Sequence, residues 1–475
     1  MGEAERIRER FAAAGQGHVF HHWDALKPES RLRLIQDAGA VDLDRLTSWT
    51  RSFIDRPTGA LAWKKEAIEP APYLRHPQYG GDRAAWERAE GIGATALLEG
   101  KVAAFTVAGG QGTRLGYGPV KGAVPATPIQ EKSLFQVFAE KIRSLGARYG
   151  VTPPWLILTS SNNHADTVAF FKEHDFFGLD PSSVHCFPQG QYPAVDAQGK
   201  LLLAAEDRLV FCPDGHGGAL SALYRSRLID ELRARGISLV TYFQIDNPLL
   251  HCFDPSFIGF HLQQESELSS KVVQKHSADE KVGVFARHQG RLITIEYSDL
   301  PEDLRMAKDA NGALSYCTGN IAAHLFSLDF MKCMGAPEAF DKLGIHRADK
   351  AIEAFDPLTG KQGTVAGIKF EHFIFDALPY AQEATMVEAL REEEFSPIKN
   401  AQGADSLLTC RADQMRRWAN WLRAAGVDIP VDAQGMPAHP IEISPLFADD
   451  FKTFLARWEA SPRLLDPNQS IYIDA

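Results

Sequence analysis

Ala108-Gly-Gly-Gln-Gly-Thr-Arg-Leu-Gly-Tyr-Gly-Pro-Val-Lys-Gly122 is the stretch on which the fold of this chain turns. The apolar run Val102 to Val107 ahead of it reads as a buried strand. Behind it, Ser133 followed three residues later by Gln136 has the form of a capping box opening a helix. A strand, a glycine loop and a helix in that order are how a parallel α/β sheet holds a phosphate. Glycines let backbone N–H groups approach the anion, while Arg114 and Lys121 supply positive charge. The loop is not a P-loop, since no Gly-Lys-Ser/Thr follows the glycines, and counted from Gly110 its third glycine falls one residue late for the dinucleotide fingerprint.

Outward from this loop, Trp155–Thr159 and Ile237–Ile245 read as further strands, and Leu134–Leu145 and Leu220–Arg235 as helices. Such alternation predicts an α/β fold with a doubly wound, mostly parallel sheet, whose ligands gather at the carboxyl ends of its strands. Between about 270 and 330 the texture becomes short, β-rich and turn-punctuated, as at Gln289-Gly290, which predicts an antiparallel insertion forming one wall of a cleft. Gly367–Leu378 reads as helix and Met386–Leu390 as strand. The expected organisation is a helical region over 1–60, a catalytic domain over 61–400 and a small C-terminal domain over 401–475, which opens on the amphipathic helix Met415–Ala425.

Composition narrows the function. A net charge of −11 argues against an extended nucleic-acid or anionic-membrane surface, yet allows a compact basic pocket for one phosphorylated metabolite. Cysteines 186, 212, 252, 317, 333 and 410 form no CxxC pair, so structural zinc, dithiol redox chemistry and a disulfide framework are not expected. The charged start MGEAERIRERF is unlike a signal peptide, and no apolar run approaches the roughly 20 residues that span a bilayer, so a soluble cytoplasmic protein is expected. Asp246 closes the third strand, where a carboxylate is placed either to meet Mg²⁺ on phosphate oxygens or to cap a turn or helix.

The glycine loop, with Lys121-Gly122, resembles that of the eukaryotic-type UDP-sugar pyrophosphorylases, above all their N-acetylglucosamine branch. The likeness continues in order through Phe187-Pro-Gln-Gly, Pro213-Asp-Gly-His-Gly-Gly, Gln244-Ile-Asp-Asn, Ile295-Glu-Tyr-Ser, Thr318-Gly-Asn-Ile, Gly367-Ile-Lys-Phe-Glu, Phe395-Ser-Pro-Ile-Lys-Asn and Ile441-Glu-Ile-Ser-Pro-Leu. The resemblance implies the nucleotide-diphospho-sugar transferase fold, Rossmann-like, and Mg²⁺-dependent attack of a sugar-1-phosphate on the α-phosphorus of UTP. It implies nucleotide contacts at Ala108, Gly109, Gly110, Gln189, Gly215 and Asp246, with Asp246 also the metal ligand. Arg114, Lys121 and Lys369 become the catalytic cations, and His216, Glu296, Tyr297, Asn320 and Lys399 the sugar-phosphate contacts.

Three departures from the family pattern stand out. Val120 occupies the usual proline position before the lysine, His216 replaces an asparagine and gives the Gly-His-Gly of the UDP-glucose enzymes, and Cys317-Thr318 precede Gly-Asn. They leave UTP–glucose-1-phosphate, or a broad hexose-1-phosphate range, as the alternative to N-acetylglucosamine-1-phosphate. A non-catalytic sugar-nucleotide-binding homologue is a further alternative; it would lack a lysine or aspartate, yet Lys121, Asp246, Lys369 and Lys399 are all present. Transfer through a uridylylated histidine would need His-x-His, which none of the sixteen histidines provides.

Overall fold

The computed structural model describes residues 2–54, 63, 65–110, 112 and 115–475. They fall into two compact units: residues 1–62, 189–221 and 337–376 make one, and 63–188, 222–336 and 377–475 the other. Region 1–60 falls within the first unit and 401–475 within the second, while 61–400 contributes to both. Among the described residues no helix is long and apolar enough to cross a membrane.

The larger unit is built on a ten-stranded sheet. Its main path runs Ile68–Pro70, Val284–His288, Thr318–Ser327, Leu239–Gln244, Val102–Val107, Trp155–Thr159, Val184–Pro188. The last four of these are mutually parallel, and Val102, Ala103, Ala104, Phe105 and Trp155–Leu158 are all buried, as unbroken apolar runs at the centre of a parallel sheet should be. The expected helix after the glycine loop runs Leu134–Tyr149, with Ser133 Oγ accepting from the Gln136 N–H at 3.1 Å. Only half of the capping box forms, because the Gln136 side chain donates forward to Glu140 instead.

Four expectations need correcting. The sheet is mixed rather than mostly parallel, since Thr318–Ser327 runs antiparallel to Leu239–Gln244, to Leu268–Gln274 and to Val284–His288. Residues 270–330 are consequently no separate insertion; they continue the same sheet, with Arg291–Ile295 added to it by pairing with Val284–His288. That hairpin closes through Gln289 and Gly290 at φ 49° and 79°, the doubly left-handed turn that suits a right-twisted ribbon. The helix expected over Leu220–Arg235 is two, Gly218–Ser226 and Leu228–Ala234, parted at Arg227 with φ 62°. Gly367–Leu378 is strand and then 3₁₀ turn, not α-helix: Lys361–Glu371 pairs along its whole length with His346–Asp356, burying Ile368 and Phe370 at a spacing of two.

This long hairpin belongs to the smaller unit, in a five-stranded sheet completed by Val195–Asp196, Leu203–Ala205 and Arg208–Leu209. The N-terminal helices Glu3–Ala13, Pro28–Gly39 and Leu43–Ile54 close its core, packing Phe11, Leu34 and Leu46, together with Phe20 of the 3₁₀ turn Gly17–Phe20, with Val195, Leu203, Phe355 and Phe370. In the larger unit, the helix expected over Met415–Ala425 is longer, Leu407–Ala424, and starts in a full capping box between Ser406 and Thr409. All six cysteines are free, and Cys333 is exposed.

Candidate active site

Strand register gathers one set of site residues at a single edge of the ten-stranded sheet. Leu239–Gln244 and Val102–Val107 run in parallel and in step, so their carboxyl ends carry the glycine loop and Asp246 side by side. The antiparallel Thr318–Ser327 begins at that edge and brings Asn320 to it, and the pairing of Val284 with both Gly319 and Ile295 brings Glu296. Asn320 donates its backbone N–H to Gly283 at 2.8 Å, and Glu296 Oε1 lies beside the same glycine. Asn320 Oδ1 accepts at 2.8 Å from the N–H of Ala322, which is itself held at φ 55°. Tyr297, next to Glu296, is 45% exposed.

The glycine loop is fastened from outside. Ala108 is fully buried, and the buried Asn163 donates to its carbonyl at 2.9 Å and to that of Gly110 at 3.2 Å. Sequence reading missed Asn163, which sits 53 residues from the loop it holds. Gln111, Thr113 and Arg114 lie outside the described residues.

Lys121, on a single 3₁₀ turn, reaches across to Asp246, with Nζ to Oδ2 at 2.7 Å. Asp246 is therefore no helix cap; its carboxylate faces a cation. Burial pushes this carboxyl up, but Lys121 and Lys399 together outweigh burial and hold it below the usual aspartate range. Lys399 itself is exposed, its ammonium 5.9 Å from the centre of the Phe395 ring. Asn247 turns away to a structural task, donating to the Glu394 carbonyl at 2.7 Å and accepting from the Ser396 N–H at 3.0 Å. Among the described residues one group of three side chains has metal-ligand spacing, His251, Asp449 and Asp450, and Asp450 is already committed to Thr453 and Arg148. Among the described residues no cluster of metal-ligand side chains includes Asp246. A cation there would take the rest of its ligands from phosphates, as magnesium does.

The smaller unit carries the remaining residues. Gln189 donates through Nε2 to Asp214 Oδ1 and to the Gly215 carbonyl, both at 3.1 Å. That arrangement assigns the amide orientation, with Nε2 toward Asp214 and Gly215. Gly215 stands at φ 83°, and a Cβ there would lie 2.5 Å from the His372 carbonyl oxygen, so glycine alone fits. Lys369, on the Lys361–Glu371 strand, pairs with Glu371 at 2.9 Å.

His216 is stacked face to face on Phe373, with 5.1 Å between ring centres, and Phe373 in turn on His346 at 4.0 Å. Its Nδ1 accepts the Ile374 N–H at 3.2 Å, which places the ring proton on Nε2. Burial, aided by His346, pushes its pKa down to about 4. Burial likewise pushes His372 to about 4, and His261, in the larger unit, to about 3. All three take up protons more readily when unfolded, near 6.5. Their contribution to stability is complete above pH 6.5 and is lost as pH falls toward 4, at up to about 1.4 kcal/mol per pH unit per histidine. The thermal midpoint should therefore drop between pH 7 and 5, before carboxylates titrate, and His261→Gln should make the drop shallower. A midpoint constant over that interval would contradict the burial of these rings.

With this geometry in view, comparison with known proteins is direct. Residues 82–468 match the family described as UTP–glucose-1-phosphate uridylyltransferase. UDP-N-acetylglucosamine diphosphorylase 2 of Arabidopsis thaliana is 36% identical over 93% of this chain and 89% of its own length. The UDP-N-acetylhexosamine pyrophosphorylase-like protein 1 of Homo sapiens is 34% identical over 99% of this chain and 98% of its own. The crystal structure of the uridine diphosphate N-acetylglucosamine pyrophosphorylase from Trypanosoma brucei, in complex with an inhibitor, superposes with a TM-score of 0.79 at 26% identity, covering 100% of this chain and 99% of that one. A glycine loop after a central strand, a lysine–aspartate pair at the sheet edge and likeness along the whole chain lead to one conclusion: this chain belongs to the UTP–glucose-1-phosphate uridylyltransferase family.

Proposed function

We propose that the chain transfers a uridylyl group from UTP to N-acetylglucosamine-1-phosphate, giving UDP-N-acetylglucosamine and pyrophosphate. The observation that carries this reading is likeness, over more than nine-tenths of the chain, to the Arabidopsis and Trypanosoma proteins named for that sugar. In the reaction a phosphate oxygen of the sugar attacks the α-phosphorus, and the bond from that phosphorus to the bridging β-oxygen breaks. Pyrophosphate leaves with the electron pair. The protein's task is to align the phosphates and absorb charge. Backbone N–H groups at Gly109 and Gly110 hold phosphate in the Rossmann-like manner, and Lys121 and Arg114 stabilise the leaving group. Lys369 and Lys399 neutralise the remaining phosphate charge. Asp246, whose Oδ2 meets Lys121, would hold Mg²⁺, which when bound draws charge from phosphate oxygens.

Gln189 supports uracil as the base. With both amide hydrogens on Asp214 and Gly215, it presents an acceptor to uracil N3–H, where cytosine offers only another acceptor. Glu296, Tyr297 and Asn320 are assigned to the sugar. His216, neutral and carrying its proton on Nε2, is a donor toward the substituent at C2. The decisive measurement is pyrophosphate release from UTP or CTP with a panel of sugar-1-phosphates. UTP should be strongly preferred, and N-acetylglucosamine-1-phosphate should give a higher kcat/KM than glucose-1-phosphate. His216→Asn should move that ratio further toward the acetylated sugar. Turnover of glucose-1-phosphate alone would transfer the assignment to the glucose enzymes, and an unchanged ratio in the variant would remove His216 from specificity.

A further inference from the structure

The backbone just after Asp246 is gripped in an unusual way. Three buried cations from three separate elements each donate to a main-chain carbonyl of residues 248–251. Lys141, on the Leu134–Tyr149 helix, donates to Pro248 at 2.8 Å and Leu250 at 2.6 Å. Arg417, on the Leu407–Ala424 helix, donates to Leu249 at 3.0 Å and also to Glu393 at 2.9 Å. Lys271, on the Leu268–Gln274 strand, donates to His251 at 3.1 Å. Asp246 itself accepts the Ile398 N–H at 2.9 Å, one residue before Lys399.

Lys141 and Lys271 differ in a telling way. Lys271 is paired directly with Glu394 and Asp254, so its charge is compensated where it lies. Lys141 is 1% exposed, and its two hydrogen bonds both go to carbonyls of this loop. A buried ammonium that meets no carboxylate among the described residues costs free energy that a methionine of similar length would not. Burial duly pushes its pKa down to about 8, with Arg417 adding to the fall and Asp449 and Glu394 opposing it. At neutral pH it remains charged and keeps its donors. Stability alone gives no account of a charge placed there; a loop whose path must be fixed does.

We propose that Lys141 and Arg417 are positioning residues for catalysis: by clamping the carbonyls of Pro248, Leu249 and Leu250 they hold Asp246 in register with Lys121 and Lys399. Arg417 gives the segment after residue 401 an indirect part in the chemistry, through the loop rather than through substrate. This rests on the assignment of Asp246 to the reacting phosphates.

The test is a double-mutant cycle on kcat with Lys141→Met and Asp246→Asn in the full-length protein. Lys141→Met should fold, should lower kcat on the order of 10-fold with KM for UTP within about twofold, and should raise the Mg²⁺ concentration needed for half-maximal rate. In the Asp246→Asn background the same substitution should change kcat by less than about twofold, since the group it positions has gone. Equal losses in both backgrounds, or an unchanged kcat in Lys141→Met, overturn the proposal. Should Lys141→Met fail to fold, Arg417→Met carries the same cycle with the same outcomes. An Asp246→Asn enzyme as active as the unmodified one would instead refute the assignment of Asp246, a result distinct from additive losses.

Discussion

Lys121→Ala should lower kcat on the order of 10²- to 10³-fold, the loss expected when one preorganised charge-stabilising group is removed from developing negative charge. The KM for UTP should rise far less. The ammonium is held at 2.7 Å from Asp246 on a turn anchored between the glycine loop and the Leu134–Tyr149 helix, so no reorganisation is needed at the moment of reaction. The substitution removes Asp246's nearest counter-charge as well, leaving Lys399 to keep that carboxyl ionised. Steady-state kinetics with UTP varied at saturating sugar phosphate separates the two parameters. If only KM rises, Lys121 binds ground state and transition state alike and is not catalytic.

Asp246→Asn should be as damaging, on the order of 10²- to 10³-fold in kcat, for the complementary reason. The amide is nearly isosteric, so packing survives, but one negative charge between two lysines disappears. Two signatures identify the cause. High Mg²⁺ should restore part of the activity, because a weakened ligand shifts metal affinity rather than geometry, and EDTA should abolish turnover of the unmodified enzyme. The double variant with Lys121→Ala should lose much less than the product of the single losses, as contacting residues do. Full activity in EDTA would refute the metal role, and strictly multiplicative losses would refute the idea that the pair acts as a unit.

The legible part of this molecule was local. The Val102–Val107 strand and the helix after the glycine loop follow from periodicity and capping within some fifty residues, and both appear as read apart from the half-formed capping box. Lys121 and Asp246 were found because each stands at a strand end or loop, where isolated charge needs a reason. What failed was long-range. Gly367–Leu378 read as helix because its apolar residues can be fitted to helical spacing, and only pairing with His346–Asp356 decides for a strand. The mixed sheet was equally hidden, since strand direction depends on the partner and not on the strand's own residues. Asn163, Lys141 and Arg417 escaped notice for a third reason. Each acts on main-chain atoms distant in sequence, and a polar side chain that grips a backbone leaves no signature in its own neighbourhood.

The discontinuous make-up of the smaller unit bears on how the protein is made. Its three N-terminal helices present Phe11, Leu34 and Leu46 to strands that include Phe355 and Phe370. On a ribosome adding ~5–20 residues per second, those helices emerge roughly 15 to 60 s before the strand that completes their core. During that interval their apolar faces lack the part of their native cover that Phe355, Ile368 and Phe370 supply. Translation speed and holding by chaperones would then set the yield of active protein more than its final stability does.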